Sequence, residues 1–195
     1  TNDDEASPLV TLTASSSSVA ENGGTSTLTA TQNVATASNT TVNLNTSGNA
    51  TLNADYSISS STITISAGST SGTATLTAIT DQLDDDGEAI VVDISSVSGA
   101  NSVAENGTQQ TTVTIIDDDN ASFTVTQTSG STTVAESGSA DNFTVVLGSQ
   151  PTGNVEFLLS ASDSSEVSIS PSTLTFTSSN WNNAQTVTVT GVSDN

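Results

Sequence analysis

The residues of this chain that could do chemistry are almost all carboxylates. It carries 21 Asp and Glu and no Lys, Arg, His, Cys or Met, for a formal net charge of −21. The acids gather at a few points: Glu21, Asp55, Asp81, the run Asp84-Asp85-Asp86 with Glu88, and Asp117-Asp118-Asp119, which closes the phrase "TIIDDDN". The opening "TNDDEAS" reads as the tail of the same phrase. Carboxylates gathered without a base repel strongly unless a cation neutralises them. The usual zinc and copper ligands, His and Cys, are missing. Several carboxylates with backbone carbonyls suit Ca²⁺, which takes roughly six to eight oxygens in flexible geometry, with Mg²⁺ second. The alternative is a solvated acidic pole that binds nothing specific, the ordinary meaning of a charge run.

Other functions find little support. Without His, Cys or Lys there is no ready general base or nucleophile, and we expect no enzyme. A carboxylate pair can hydrolyse glycosides, but these acids cluster with one another and aromatic residues are only 3% of the chain. So acidic a surface repels nucleic acid and anionic membranes. No apolar run reaches the ~18 residues of a membrane span, so direct membrane insertion is not expected. No signal peptide is evident, so a targeting segment is expected outside this sequence.

The acids must be held by strands. Hydrophobic residues make up 32% of the chain, and they alternate with Thr and Ser in "TVNLN", "STITISA", "TATLTAI" and "QTVTVTGV". This period-two pattern of β-branched residues marks strands rather than the disorder that low hydrophobicity and high charge could also produce. Strands are predicted at 9–14, 26–32, 40–46, 55–66, 73–81, 89–97 and 110–117, separated by Gly- and Asn-rich turns such as "VAENGG". Seven short strands at this spacing predict an antiparallel, immunoglobulin-like β-sandwich. Strand ends two strands apart return to the same pole, so Asp55, the 81–88 loop and 117–119 are expected to converge.

The pattern recurs. Ala6-Ser7 reappears as Ala121-Ser122 and "VAENG" at 19–23 as "VAESG" at 134–138, both displaced by 115 positions (6 to 121, 19 to 134). A tandem of two sandwiches is predicted, one over 1–119, whose residues 1–7 are a remnant of a preceding junction, and one over 120–195. The second, divergent repeat lacks the counterparts of the last strands of the first. Either a longer array continues beyond it or another chain supplies strands to its open edges.

Four phrases in order, "VAENGG", "NADYSI", "ITDQLDDDGEAIVVDIS" and "VTIIDDD", resemble the Calx-β domain from Pro8 to Asp119. That family is a seven-stranded immunoglobulin-like sandwich binding calcium at one pole. The resemblance implies Ca²⁺ ligands at Glu21, Asp55, Asp81, Asp85, Glu88, Asp117, Asp118 and Asp119, with the Leu83 carbonyl as a further donor. Thr80 stands where the family often has a second Asp, which points to one to three ions. Weaker metal positions follow at Asp3 and Asp4, left from the preceding unit, and at Glu136 and Asp194, which occupy the places of Glu21 and Asp81. The phrase "VSISPSTLTFTSSNWNNAQTVTVTGVSDN" resembles divergent repeats of large bacterial surface proteins.

The expected role is therefore structural: a calcium-binding repeat of an extracellular adhesin, matrix protein or surface filament at the bacterial cell surface. Its partners would be neighbouring repeats, with strand exchange between subunits in a filament. The alternatives are a receptor- or glycan-binding module and a calcium sensor. Six sequons, at Asn39, Asn45, Asn49, Asn106, Asn120 and Asn142, are candidate glycosylation positions, though so Asn-, Ser- and Thr-rich a chain produces them by chance. Trp181 reads as a packing residue at a strand start.

Overall fold

A computed structural model describes residues 7–99 and 101–193; Asp3, Asp4 and Asp194 lie outside them. The chain divides into two compact units, residues 1–81 with 85–118, and residues 82–84 with 119–195.

Among the described residues the first unit contains ten strands: β1 (Leu9–Ala14), β2 (Ser18–Ala20), β3 (Thr25–Gln32), β4 (Thr40–Gly48), β5 (Tyr56–Ile58), β6 (Thr62–Ile65), β7 (Ser71–Ala78), β8 (Ala89–Ser98), β9 (Ala104–Glu105) and β10 (Gln110–Ile116). They form two sheets, ordered β5-β7-β3-β1-β9 and β2-β10-β8-β4-β6. Every second residue turns inward. Val10, Leu12, Leu28, Ala30 and Leu76 of the first sheet meet Val42, Ile63, Ile65, Ile90, Val92, Val113 and Ile115 of the second in one core. Tyr56 is the only aromatic residue in it. Such a core owes its stability to β-branched residues packed on a pleated surface.

The strand predicted over 55–66 is in fact two strands in different sheets. β5 pairs with β7, and β6 pairs with β4. The three serines between them carry the chain across. Ser59 N still donates to Thr75 O at 2.8 Å, whereas Ser61 O already accepts from Leu44 N at 2.8 Å. Ser60 Oγ closes the step, accepting from Thr62 N at 3.0 Å and donating to Thr62 O at 2.7 Å. The alternation changes phase at the crossing, from Tyr56 and Ile58 on even positions to Ile63 and Ile65 on odd ones, a break in period that a single strand over 55–66 passes over.

The phrase "VAENG" occurs both at 19–23 and at 103–107, and each occurrence does more than turn. Ser18–Ala20 runs parallel to the end of β10, and Ala104–Glu105 runs parallel to the start of β1. The chain reaches β2 through a bend at 15–17 that the buried Ser26 hydroxyl secures, accepting from Ser16 N and donating to Ser16 O. At the other end of the sandwich a buried polar group ties the loops together. Thr40 Oγ1 donates to Gln32 Oε1 at 2.8 Å, and Gln32 Nε2 donates to Ser69 O at 2.9 Å.

The second unit holds β11 (Phe123–Gln127), a single 3₁₀ turn at Thr128–Gly130 that no helix signal announced, β12 (Ala140–Leu147), β13 (Val155–Leu158), β14 (Val167–Ser170), β15 (Thr173–Phe176) and β16 (Gln185–Gly191). Its sheets are β11-β12-β16-β14 and β13-β15. This order repeats β1-β3-β7-β5 and β4-β6 of the first unit. Val145, Leu147, Leu174, Phe176 and Val187 form its core, with Phe143, Val155, Phe157 and Trp181 packed against it. The segment 133–135, counterpart of β2, is not a strand. In the first unit that strand exists by pairing with β10, and no β10 counterpart occurs among the described residues of the second.

Candidate metal centre

Glu21 is the pivot of the acidic pole. Its amide donates to Ile116 O at 2.9 Å, which seats it beside the end of β10. The chain then reverses through Gly23, whose φ of +85° is open to glycine at no steric cost. Gly24 is equally constrained, since a Cβ there would stand 2.4 Å from Ala20 O. The result is a carboxylate folded inward, with Glu21 only 4% exposed. Its Oε1 accepts the amide of Asp81 at 2.6 Å, and its Oε2 is buried with no hydrogen-bond partner. Burial raises the Glu21 pKa above its ordinary value. The Asp81 amide opposes that shift, and the neighbouring Asp117 and Asp81 carboxylates add to it.

Asp117 and Asp118 follow β10 directly. One carboxylate oxygen each from Glu21, Asp117 and Asp118 lie within 4.8 Å of one another. Asp117 Oδ2 accepts from Asp85 N at 3.1 Å, which brings the 81–88 loop to the same place. Asn22 Nδ2 donates to Asp118 Oδ2 at 3.4 Å, a contact between residues 96 apart that no local pattern signals.

A second part of the pole surrounds Glu88. Its pKa is raised to about 7, first by burial, then by its hydrogen-bonding contact with Asp55 and by the charges of Asp55, Asp85 and Asp81. Asp55 is itself held by Thr51 N, 2.5 Å from Oδ2, and its carbonyl accepts from Ile79 N at 2.8 Å. Glu21, Asp55, Asp81, Asp85, Glu88, Asp117 and Asp118 therefore share one end of the first unit, as strand order anticipates. The cause is topological: β2, β7 and β10 end there, and β5 and β8 begin there.

Leu83 and Asp119 fall in the second unit. There Leu83 bridges Gln150, whose amide donates to Gln82 O at 2.6 Å, and Asp84 Oδ2 accepts from Ala121 N at 2.7 Å. Glu136 lies in an exposed turn and joins no metal-sized group of acids among the described residues. The low pKa values of Asp141 and Asp163 have local causes, the amides of Thr133 and Asn142 for the first and the hydroxyl and amide of Ser165 for the second. All six sequon asparagines are exposed.

The donor set fits a hard cation. It is all oxygen, it has no base to neutralise it, and it includes one buried carboxylate oxygen without a partner. An unsatisfied buried acceptor is costly, and a cation beside it would remove that cost.

A two-sheet immunoglobulin-like sandwich with carboxylates at one pole defines a class of small β-modules. The Calx-beta domain model matches residues 3–119, and the chain belongs to the Calx-β domain family. Similar solved structures include CBD12 from CALX1.2, 18% identical, covering 91% of this chain and 72% of that one with a TM-score of 0.46. The apo form of the Calx CBD1 domain is 18% identical over 57% of this chain and 99% of that one, with a TM-score of 0.48. Calcium binding domain CBD12 of CALX1.1 is 18% identical over 91% of this chain and 73% of that one, with a TM-score of 0.45. No curated protein matches the chain.

Proposed function

We propose that this chain is a calcium-binding structural repeat of an extracellular bacterial surface protein, its metal pole stiffening the array in which it sits. The observation that carries the metal reading is the buried, unpartnered Oε2 of Glu21 beside Asp117 and Asp118. These three residues would hold the ion, with Asp81, Asp85, Asp55 and Glu88 completing the pole. Calcium would supply charge neutralisation and fix the end of β10. What supports an extracellular setting is that a carboxylate site of modest affinity would fill at the millimolar calcium found outside cells. Calorimetric titration with CaCl₂ and MgCl₂ tests this reading. Saturable calcium binding, stronger than that of magnesium and weakened about tenfold or more in Glu21→Gln, supports it; no binding rejects it.

The proposed partners are neighbouring repeats and, in a filament, strands of other subunits. What supports strand pairing is the second unit. β4 of the first unit pairs with β6 on one edge and β8 on the other. Its counterpart β13 pairs only with β15 among the described residues. Leu158 is 81% exposed and Phe123 56%, and a cavity of about 510 Å³ is lined by Phe123, Leu147, Val155 and Phe157. An extended segment with the alternation of β8 fits such an edge. Adding a peptide of residues 88–98 while following Trp181 fluorescence tests it. A saturable spectral change supports strand pairing, and an unchanged spectrum rejects it.

A further inference from the structure

The chain has two Asn-Gly pairs, Asn22-Gly23 and Asn106-Gly107. In such a pair the backbone nitrogen of the glycine can attack the asparagine side chain, because no Cβ obstructs the approach. Both asparagines are exposed. Both glycines have left-handed φ, +85° and +68°, and open space where a side chain would stand, so water has access. The two pairs sit at opposite ends of the first unit. Asn22 follows β2 beside the end of β10, and Asn106 follows β9, its amide donating to Val10 O at the start of β1. Only Asn22 touches the acidic pole, through Nδ2 on Asp118 Oδ2 at 3.4 Å.

We propose that Asn22 is a deamidation site built into the metal pole, and that its conversion to a carboxylate tightens the pole's hold on a divalent cation. This inference rests on the calcium reading above. In the first step Gly23 N loses its proton to solvent hydroxide and attacks Asn22 Cγ. The N–Cγ bond forms, Nδ2 takes a proton from water, which regenerates hydroxide, and the Cγ–Nδ2 bond breaks with release of ammonia, giving a five-membered imide. Water then opens the ring at either carbonyl. Both products, aspartyl and isoaspartyl, carry one new carboxylate, and nothing is oxidised or reduced.

The surroundings set both the rate and the consequence. Gly23 N–H donates to Glu21 O at 2.6 Å, so the reaction requires that turn to open. A cation held by Glu21 keeps it closed and slows the reaction. After conversion, a donor facing Asp118 has become an acid facing an acid. Without a cation this adds repulsion. With one it adds a charged oxygen, and the number of charged ligands sets affinity in such sites.

The test has two arms, both on the 195-residue chain. In the first, the protein is aged at mildly alkaline pH in excess calcium or in chelator, cleaved at acidic residues and mapped by mass. Asn22 is expected to convert in chelator and several-fold more slowly in calcium, whereas Asn106 converts at the same rate in both. In the second, calcium affinity is measured calorimetrically for the unaged chain, Asn22→Asp and Asn106→Asp. Asn22→Asp is expected to bind roughly threefold to tenfold more tightly, with Asn106→Asp unchanged. Asn22 staying intact while Asn106 converts overturns the inference, as does Asn22→Asp binding no more tightly than an unaged chain that does bind calcium. An unaged chain that binds no calcium overturns the calcium reading and this inference together.

Discussion

Glu21 Oε1 accepts the backbone amide of Asp81 at 2.6 Å across 60 residues of chain, while Oε2 of the same carboxylate is buried without a partner. One side chain thus ties the β2–β3 turn to the end of β7 and leaves a desolvated charge facing Asp117 and Asp118. A group in that state stabilises the fold only when something positive sits beside it.

Calcium is therefore expected to raise the melting temperature of the first unit. A ligand bound only by the folded state at about 100 times its Kd contributes ~2.7 kcal/mol. For a unit of this size that corresponds to a rise on the order of 10 °C. Scanning calorimetry in millimolar calcium and in chelator checks it, and coincident transitions would refute the metal site.

Glu21→Gln separates the two roles of the side chain. Glutamine keeps the Oε1 acceptor for Asp81 N but removes the charge. Calcium affinity should fall by about tenfold or more. In chelator the variant should melt at or above the unsubstituted chain, because burial no longer opposes an ionised group. A variant that melts well below the parent in chelator would mean that Glu21 is chiefly a structural prop.

The pole also predicts a pH dependence. The Glu88 pKa is raised from 4.5 to about 7 in the folded state, and that of Glu21 is shifted in the same direction. The folded chain thus binds protons more tightly than the unfolded chain. The associated stability is fully present below about pH 4.5 and is lost as pH rises through about 7. In chelator, the melting temperature should drift downward over that window. In saturating calcium the drift should shrink or reverse, since the cation takes over the neutralising role. Melting curves across the window in both conditions test this, and a flat chelator series would contradict it.

Thr40→Val provides the control at the opposite end. It leaves Gln32 Oε1 without its buried donor at nearly constant volume, at a cost of ~1–3 kcal/mol. Denaturant unfolding should register that loss while calcium affinity stays unchanged. Weakened calcium binding would show that the pole depends on the whole sandwich rather than on its own loops.

Much of this was legible in the residues. Composition alone pointed to a hard-cation, all-oxygen site, since 21 acids face no base and no soft ligand. Alternation of Thr with Val, Ile and Leu specified strands and their inward faces, because side chains on a strand change sides at every residue. The repeat of "VAENG" and "VAESG" announced a second, similar unit. Strand order then made the convergence of Asp55, 81–88 and 117–119 an expectation.

Tertiary structure decided the rest. Period two tells which side chain faces inward but not which sheet a strand joins: the phase shift between Ile58 and Ile63 marks a break at 59–61, and only the pairing shows that the chain changes sheet there. Carboxylates distant in sequence meet only through pairing, and so Glu21's burial, its grip on Asp81 and the Asn22–Asp118 contact required the fold. Which unit Leu83 and Asp119 join is likewise set by the fold and not by their place in the sequence. Local pattern is written residue by residue, whereas the desolvation that turns an acid into a metal ligand arises only when distant strands close over it.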